Sequence, residues 1–107
     1  MPSLQYINEK LSDAIYSLTI HEGDARKRVA SVLPILKKLN PNTFPSNLVK
    51  EYRWVMETIV RGRSKVLREM PDYTLPHIKN STASKVIVKI LKIQDEIQVL
   101  LDEELNL

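Results

Sequence analysis

Apolar side chains recur every three or four positions along most of the chain, and no stretch alternates apolar and polar residues as a β-strand does. In residues 3–18 the apolar positions fall on one face of a helix, and they are Leu4, Ile7, Leu11, Ala14, Ile15 and Leu18. Ser3 precedes them and can cap the helix, because its hydroxyl accepts a hydrogen bond from a free backbone N–H. The pattern predicts a first amphipathic helix.

A second helix is predicted to begin after Asp24, whose carboxylate can cap it, and to end near residues 40–41. Its apolar stripe consists of Ala25, Val29, Val32, Leu33, Leu36 and Leu39. Pro34 lies inside this segment and removes one backbone hydrogen bond. At about 100° per residue Pro34 falls opposite the stripe, where a bend is easily accommodated. We therefore predict one helix, kinked at Pro34, rather than two.

Two prolines in residues 40–45 predict a loop before the third helix. Ser46 is the predicted cap of that helix, and Gly62 is predicted to end it in a left-handed conformation. The stripe between them is Leu48, Val49, Tyr52, Val55, Met56, Ile59 and Val60. A short helical turn at 64–70 and a proline-containing loop at 70–79 are predicted to follow.

The last helix is predicted to start at Ser81 or Thr82 and to run close to the end of the sequence. Its apolar set is Ala83, Val86, Ile87, Ile90, Leu91, Ile93, Ile97, Leu100, Leu101 and Leu105. This stripe covers about half of the helix circumference, more than the ~100° that faces one neighbour. The helix is therefore central among the others, or it forms a two-fold homodimer that sets residues 102–104 against the partner's Lys85 and the partner's Lys89.

Helices joined by short connections predict one all-α domain over residues 1–107, an antiparallel bundle of four to five helices with a long C-terminal helix. An apolar content of 43% is high enough for a packed core. The absence of cysteine excludes disulfides, thiol catalysis and Cys-ligated metals. No secretory signal and no run of ~20 apolar residues is visible, which favours a cytoplasmic protein that does not insert into a membrane.

Short stretches of the chain form an ordered set: residues 14–19 (AIYSLT) with 22–26 (EGDAR), residues 44–48 (FPSNL) and residues 82–85 (TASK). Together they resemble a group of small all-helical proteins of bacteria and prophages. The resemblance runs in order over most of the chain, although the loop at 71–79 is longer here than in that group. It implies an all-helical fold and a bacterial or phage origin, and it implies no particular chemistry.

His21, Glu22 and Asp24 place an imidazole and two carboxylates within four residues, and these are ligand types for Zn²⁺ or Mg²⁺. Helix capping explains Asp24, and the positive end of the following helix favours both carboxylates. No catalytic motif accompanies them, and the serines at 3, 46 and 81 stand at cap positions. We therefore expect no enzymatic activity, no metal and no cofactor.

Charge is distributed unevenly along the chain. Residues 1–92 contain all 16 basic residues and 8 of the 13 acidic ones, whereas residues 93–107 contain five acidic residues and no basic one. The five are Asp95, Glu96, Asp102, Glu103 and Glu104. Acidic residues at the end of a helix oppose its dipole, so helix stability does not explain them. They form either a solvated end or part of an interaction surface.

Two basic groups indicate how the chain could bind nucleic acid. The first surrounds Gly62 and consists of Arg61, Arg63, Lys65 and Arg68. The second consists of Lys85, Lys89 and Lys92, which align on one side of the last helix. Such a stripe can follow phosphates. The opposing interpretation is that these lysines are the solvated face of an ordinary amphipathic helix.

Trp54 is predicted on the outer face of the third helix, with Lys50 and Arg61 among its neighbours. Tryptophan and arginine are typical anchors of protein interfaces. The alternative is that another helix, or the loop at 70–79, covers the indole. The leading hypothesis is a small, non-catalytic regulatory protein that binds an unidentified protein through Trp54, Lys50 and Arg61. A nucleic-acid-binding regulator is the alternative.

Overall fold

The computed structural model describes residues 3–62, 75 and 78–105. These residues form four α-helices, α1 (Leu4–Ile20), α2 (Ala25–Leu36), α3 (Ser46–Gly62) and α4 (Asn80–Leu105), with a short 3₁₀ turn at Pro41–Thr43. The all-α bundle with a long C-terminal helix is confirmed, with four helices in the part of the chain described. The turn predicted at 64–70 and most of the loop predicted at 70–79 lie outside the described residues.

Two of the predicted N-terminal helix caps are confirmed, and those at Ser46 and Ser81 are wrong, because both serines lie inside their helices. The Tyr6 N–H donates to the Ser3 hydroxyl at 3.2 Å, and the Lys27 N–H donates to the Asp24 carboxylate at 3.0 Å. Ser46 is instead the first residue of α3, and the carbonyl of Pro45 accepts the N–H of Leu48 at 2.8 Å. The fixed φ of proline suits a helix start, so α3 begins directly after Pro45.

Pro34 lies inside α2 and is exposed, as its position opposite the stripe predicts. The helix ends two residues later, at Leu36, so the prediction that it continues to residue 40 is wrong. After the proline the backbone changes to hydrogen bonds of the 3₁₀ type. The N–H of Lys38 donates to the Ile35 carbonyl, and the N–H of Leu39 donates to the Leu36 carbonyl. These hydrogen bonds span three residues instead of four, and they satisfy the last carbonyls of α2 where the helix ends.

Gly62 ends α3 but does not take the predicted left-handed conformation; among the described residues only Gly23 has a positive φ, of 114°. A Cβ atom at Gly62 would lie 3.2 Å from side-chain atoms of both Leu75 and Ile78. That distance is shorter than an ordinary van der Waals contact. A side chain at position 62 would therefore force Leu75 or Ile78 to shift by a few tenths of an ångström, because both pack closely against the end of α3.

The helix α4 packs against all three other helices, α1, α2 and α3. Its fully buried residues are Ala83, Val86, Ile90, Ile93 and Ile97. The three neighbouring helices thus account for the width of its apolar stripe. Three residues predicted to be in the core are exposed, namely Val60, Leu91 and Leu105. Val60 and Leu91 lie at the edges of their stripes, and Leu105 is the last residue of α4.

Tyr52 anchors α3 to the rest of the bundle. Its ring stacks on Phe44 with 4.2 Å between the centroids, and its hydroxyl donates to the Leu36 carbonyl at 2.7 Å. Burial raises the pKa of the Tyr52 phenol above its ordinary range, so the group stays a protonated donor. This contact sets the position of α3, and with it the outer surface that α3 shares with α4.

Candidate functional site

An open groove of about 650 Å³ lies between α3 and α4 on the surface of the bundle. From α3 it is lined by Lys50, Glu51 and Trp54, and from α4 by Ser84, Lys85, Val88, Lys89 and Lys92. Residues three or four apart share a helix face, so each helix presents one side to the groove. We call this surface the α3–α4 groove.

Trp54 is half-buried, with part of the indole packed against the core and the rest bordering the groove. It also borders two further surface depressions along α3, one shared with Arg53 and the other with Arg61. Neither alternative from the sequence describes this position fully, because the core covers only part of the side chain. An apolar aromatic surface therefore remains accessible among charged groups.

Glu51 is the acidic residue of the groove, and it bridges two of its lysines. Its Oε1 lies 3.3 Å from the Nζ of Lys89 and 3.4 Å from the Nζ of Lys92. Partial burial opposes ionisation of Glu51, but the hydrogen bonds and positive charges of the two lysines outweigh it and hold the pKa below its usual value. At neutral pH Glu51 is therefore an ionised partner of the lysines, unsuited to act as a proton donor.

The groove unites residues that the sequence assigns to two different sites. Lys50 and Trp54 belong to the predicted protein-binding set, whereas Lys85, Lys89 and Lys92 belong to the predicted nucleic-acid-binding set. Sequence reasoning does not find Glu51 at all. Its only local signal is a position three residues before Trp54, and the lysines that it contacts lie on another helix.

The other basic residues singled out in the sequence are not part of the groove. Arg61 borders a different side of Trp54, and its guanidinium donates to the Thr58 hydroxyl at 3.4 Å. Arg63, Lys65 and Arg68 lie outside the described residues. The basic cluster predicted around Gly62 is therefore represented here only by Arg61.

The composition of the groove suits an anionic ligand that also has an apolar part. Four lysines surround it, and Glu51 is its one carboxylate among the lining residues described. A lysine ammonium group is a mobile point charge that can meet a carboxylate or a phosphate. Trp54 and Val88 add apolar surface between these charges, and an exposed indole contributes strongly where a partner covers it.

Asp24, one of the two acidic residues predicted beside His21, has a structural role at the start of α2. The Asp24 carboxylate accepts from Lys27 N–H, contacts Arg26 at 3.4 Å and accepts from the amide of Asn80 at 3.3 Å. These contacts hold the pKa of Asp24 below its ordinary value, and the hydrogen bond from the Lys27 N–H contributes most to this lowering. Among residues 3–62, 75 and 78–105, no three His, Asp or Glu side chains gather in a way that could hold a metal ion.

The acidic half of α4 packs on α1 through side-chain amides. The amide of Asn8 donates to Gln98 at 3.1 Å and accepts from Gln94 at 3.0 Å, and Gln98 also donates to Asp102 at 3.0 Å. The ion pairs of the described residues involve none of the acidic side chains after residue 92. These carboxylates therefore remain on the surface without a basic partner in that part of the chain.

Within the described residues, no helix combines the length and the apolar character needed to cross a membrane. Comparison of the chain with protein-family models, with curated proteins and with solved structures found no match.

Proposed function

We propose that this chain is a non-catalytic binding protein whose α3–α4 groove takes an acidic segment of a protein partner, with an apolar side chain of that segment against Trp54. One observation carries the proposal, which is that a half-buried tryptophan and four lysines line the same groove. The proposal retains a regulatory role, a cytoplasmic location and a bacterial or phage origin, for which the support is the sequence alone.

The contacts of Glu51 favour a protein segment over nucleic acid. Glu51 already pairs with Lys89 and Lys92, so a continuous row of phosphates along these lysines would pass close to a fixed negative charge. An acidic helix instead presents separate carboxylates with apolar side chains between them, and these can meet Lys50 and Lys85 on either side of Trp54. Nucleic acid, with a base stacked on the indole, is the alternative that the experiment must distinguish.

Trp54 is the sole tryptophan of the chain, so its fluorescence reports directly on the groove. Three probes are titrated: an amphipathic peptide of Glu and Leu, the same peptide with Lys in place of Glu, and a single-stranded oligothymidylate. We expect a saturable change in emission with the acidic peptide and none with the basic peptide. The affinity should fall as salt is raised, because exposed charges are screened.

A matched pair of variants tests whether the lysines of the groove are responsible. Lys85→Glu should weaken acidic-peptide binding by about tenfold, which corresponds to ~1.4 kcal/mol. Lys27→Glu makes the same charge change on an exposed residue at the start of α2 and should leave binding unchanged. No response to the acidic peptide would contradict the proposal, and tighter binding of oligothymidylate at equal salt would favour the nucleic-acid alternative.

We still propose that a homodimer can form through α4, but not through the apolar stripe from which the sequence predicts it. The flank containing Val86 and Ile93 is fully buried within the bundle, so it is not free for a second chain. Val88, Leu91 and Val99 are exposed on the outer side of α4. Any pairing of two copies through α4 would therefore use this outer side.

A further inference from the structure

The outer side of α4 carries six exposed residues in an unbroken series of spacings of three, four, three, four and three. They are Lys85, Val88, Lys92, Asp95, Val99 and Asp102. Alternating steps of three and four define the contact line of a coiled coil. We call these residues the α4 seam, and its basic half also lines the α3–α4 groove.

We propose that a second copy of this chain occupies the groove, with its α4 antiparallel to α4 of the first copy and a two-fold axis between residues 93 and 94. The inference rests on the proposed function, since it identifies the acidic segment that the groove binds. The axis pairs residues whose numbers add to 187. The facing pairs are Lys85 with the partner's Asp102, Val88 with the partner's Val99, and Lys92 with the partner's Asp95.

The charge pattern supports the antiparallel direction and opposes the parallel one. In the antiparallel register each lysine of the seam faces a carboxylate, and each valine faces a valine. In a parallel pair every residue would face its own copy, which would place like charges together.

The same arrangement accounts for the acidic end of α4. Five acidic residues at the C-terminal end of one helix oppose its own dipole. In the antiparallel pair they lie beside the N-terminal half of the other α4, which carries Lys85, Lys89 and Lys92. Asp95 and Asp102, which form no ion pair within the described part of the chain, then gain basic partners.

The composition of the seam also sets the strength of the dimer. Its contact line extends over about 26 Å of helix, but it contains only two apolar residues among four charged ones. Charged pairs at a solvent-exposed surface contribute little and are screened by salt. The dimer is therefore expected to depend on protein concentration and to dissociate as the salt concentration rises.

Introduced cysteines test the register directly, because the chain has no native cysteine. An equal mixture of Val88→Cys and Val99→Cys proteins should form a disulfide-linked dimer under mild oxidation. Each variant alone should not, because the same residue on two antiparallel copies is separated by about 16 Å along the axis, too far for a disulfide. Val60→Cys, an exposed valine on α3, measures cross-linking by random collision.

Charge reversal tests the same pairing without a cross-link. The double variant Lys85→Asp, Lys92→Asp and the double variant Asp95→Lys, Asp102→Lys should each self-associate at least tenfold more weakly than the wild type. A mixture of the two should recover association, because every reversed residue then faces an opposite charge. Sedimentation at several concentrations measures the masses, and circular dichroism confirms that each variant is helical.

The outcomes separate this inference from the proposed function. Cross-linking of Val88→Cys alone as fast as the mixture overturns the antiparallel register. A wild-type protein that is monomeric at every concentration, with no cross-link in the mixture, overturns the dimer. If the acidic peptide still changes Trp54 emission in that case, the proposed function survives with a different partner, and if it does not, both fail.

Discussion

The core beneath α3 and α4 and the groove above them contain the same kinds of side chain in different settings. Tyr52 and Trp54 are two residues apart on α3, and so they point to nearly opposite sides of the helix. Tyr52 is completely buried, stacked on Phe44 and hydrogen-bonded to the Leu36 carbonyl. Trp54 is only half-buried, with lysines on both sides of the groove. An aromatic residue therefore stabilises the fold in one region and offers a contact surface in the other.

The helix α4 shows the same contrast with aliphatic side chains. Ile90 is 1% exposed, whereas Val88, two residues earlier, is 64% exposed. Both residues are β-branched and apolar, so residue type does not distinguish them. Substitutions on the inner side of α4 should therefore change stability, and those on the outer side should change binding.

The largest expected effect is that of Ile90→Asp, which places a carboxylate in the centre of the core. A buried, unpaired charge costs several kcal/mol, so we expect the variant to be unfolded or severely destabilised. Val88→Asp makes the same chemical change on the outer side and should alter stability by no more than about 0.5 kcal/mol. Thermal unfolding followed by circular dichroism measures both, and equal losses would contradict the contrast.

Tyr52→Ala should have the next largest effect. Truncating a fully buried aromatic side chain costs about 3–5 kcal/mol, because it removes apolar contacts and leaves a cavity. The variant also removes the donor to the Leu36 carbonyl, which joins α3 to the end of α2. Urea unfolding gives the free energy, and a loss below about 1 kcal/mol would show that Tyr52 does not anchor α3.

Trp54→Ala should cost about 1 kcal/mol or less, because only part of the indole packs on the core. Binding of the acidic peptide should weaken by at least tenfold, since the apolar surface of the groove is lost. Isothermal calorimetry is the suitable measurement, because the variant has no tryptophan to report by fluorescence. A loss of stability as large as that of Tyr52→Ala, with binding intact, would make Trp54 a core residue.

The smallest effect on stability is expected for Glu51→Gln, which removes the ion pairs with Lys89 and Lys92. An exposed pair is worth about 0–1 kcal/mol, so a few tenths of a kcal/mol should be lost at pH 7. Acidic-peptide binding should instead become several-fold tighter, because both lysines are released toward the ligand. Fluorescence titration of Trp54 measures this change, and weaker binding would show that Glu51 orients the lysines for the ligand.

The pH dependence of Glu51 follows from its lowered pKa. A carboxyl group whose pKa is depressed by folding stabilises the protein above its unfolded pKa, which is about 4.3 for glutamate. That contribution is lost as the pH falls through the lower folded pKa. The stability difference between wild type and Glu51→Gln should therefore be present at pH 7 and vanish in acid, as urea unfolding at several pH values will show.

The sequence by itself determined the helices, because hydrophobic periodicity and helix capping depend on residues close together in the chain. Four helical segments, the caps at Ser3 and Asp24 and the solvent side of Pro34 follow from spacing alone. Five residues of the site were also accessible in this way, namely Trp54, Lys50 and the three lysines of α4, because they stand off their apolar stripes. Glu51 was not, because its partners lie on another helix. The end of α2 could not be predicted from spacing, because hydrogen bonds between residues three apart replace the last helical turn after Pro34.

The tertiary structure alone decided which of these surfaces meet. A stripe on one helix carries no information about which face of another helix it approaches, because that depends on the rotation and packing of both helices. Packing places Lys89 and Lys92 of α4 against Glu51 of α3, and it sets Lys85 and Lys50 on the two sides of one groove. Packing also places three neighbouring helices against α4. The wide apolar stripe of α4 is therefore covered by helices of the same chain, and its width does not require a second chain.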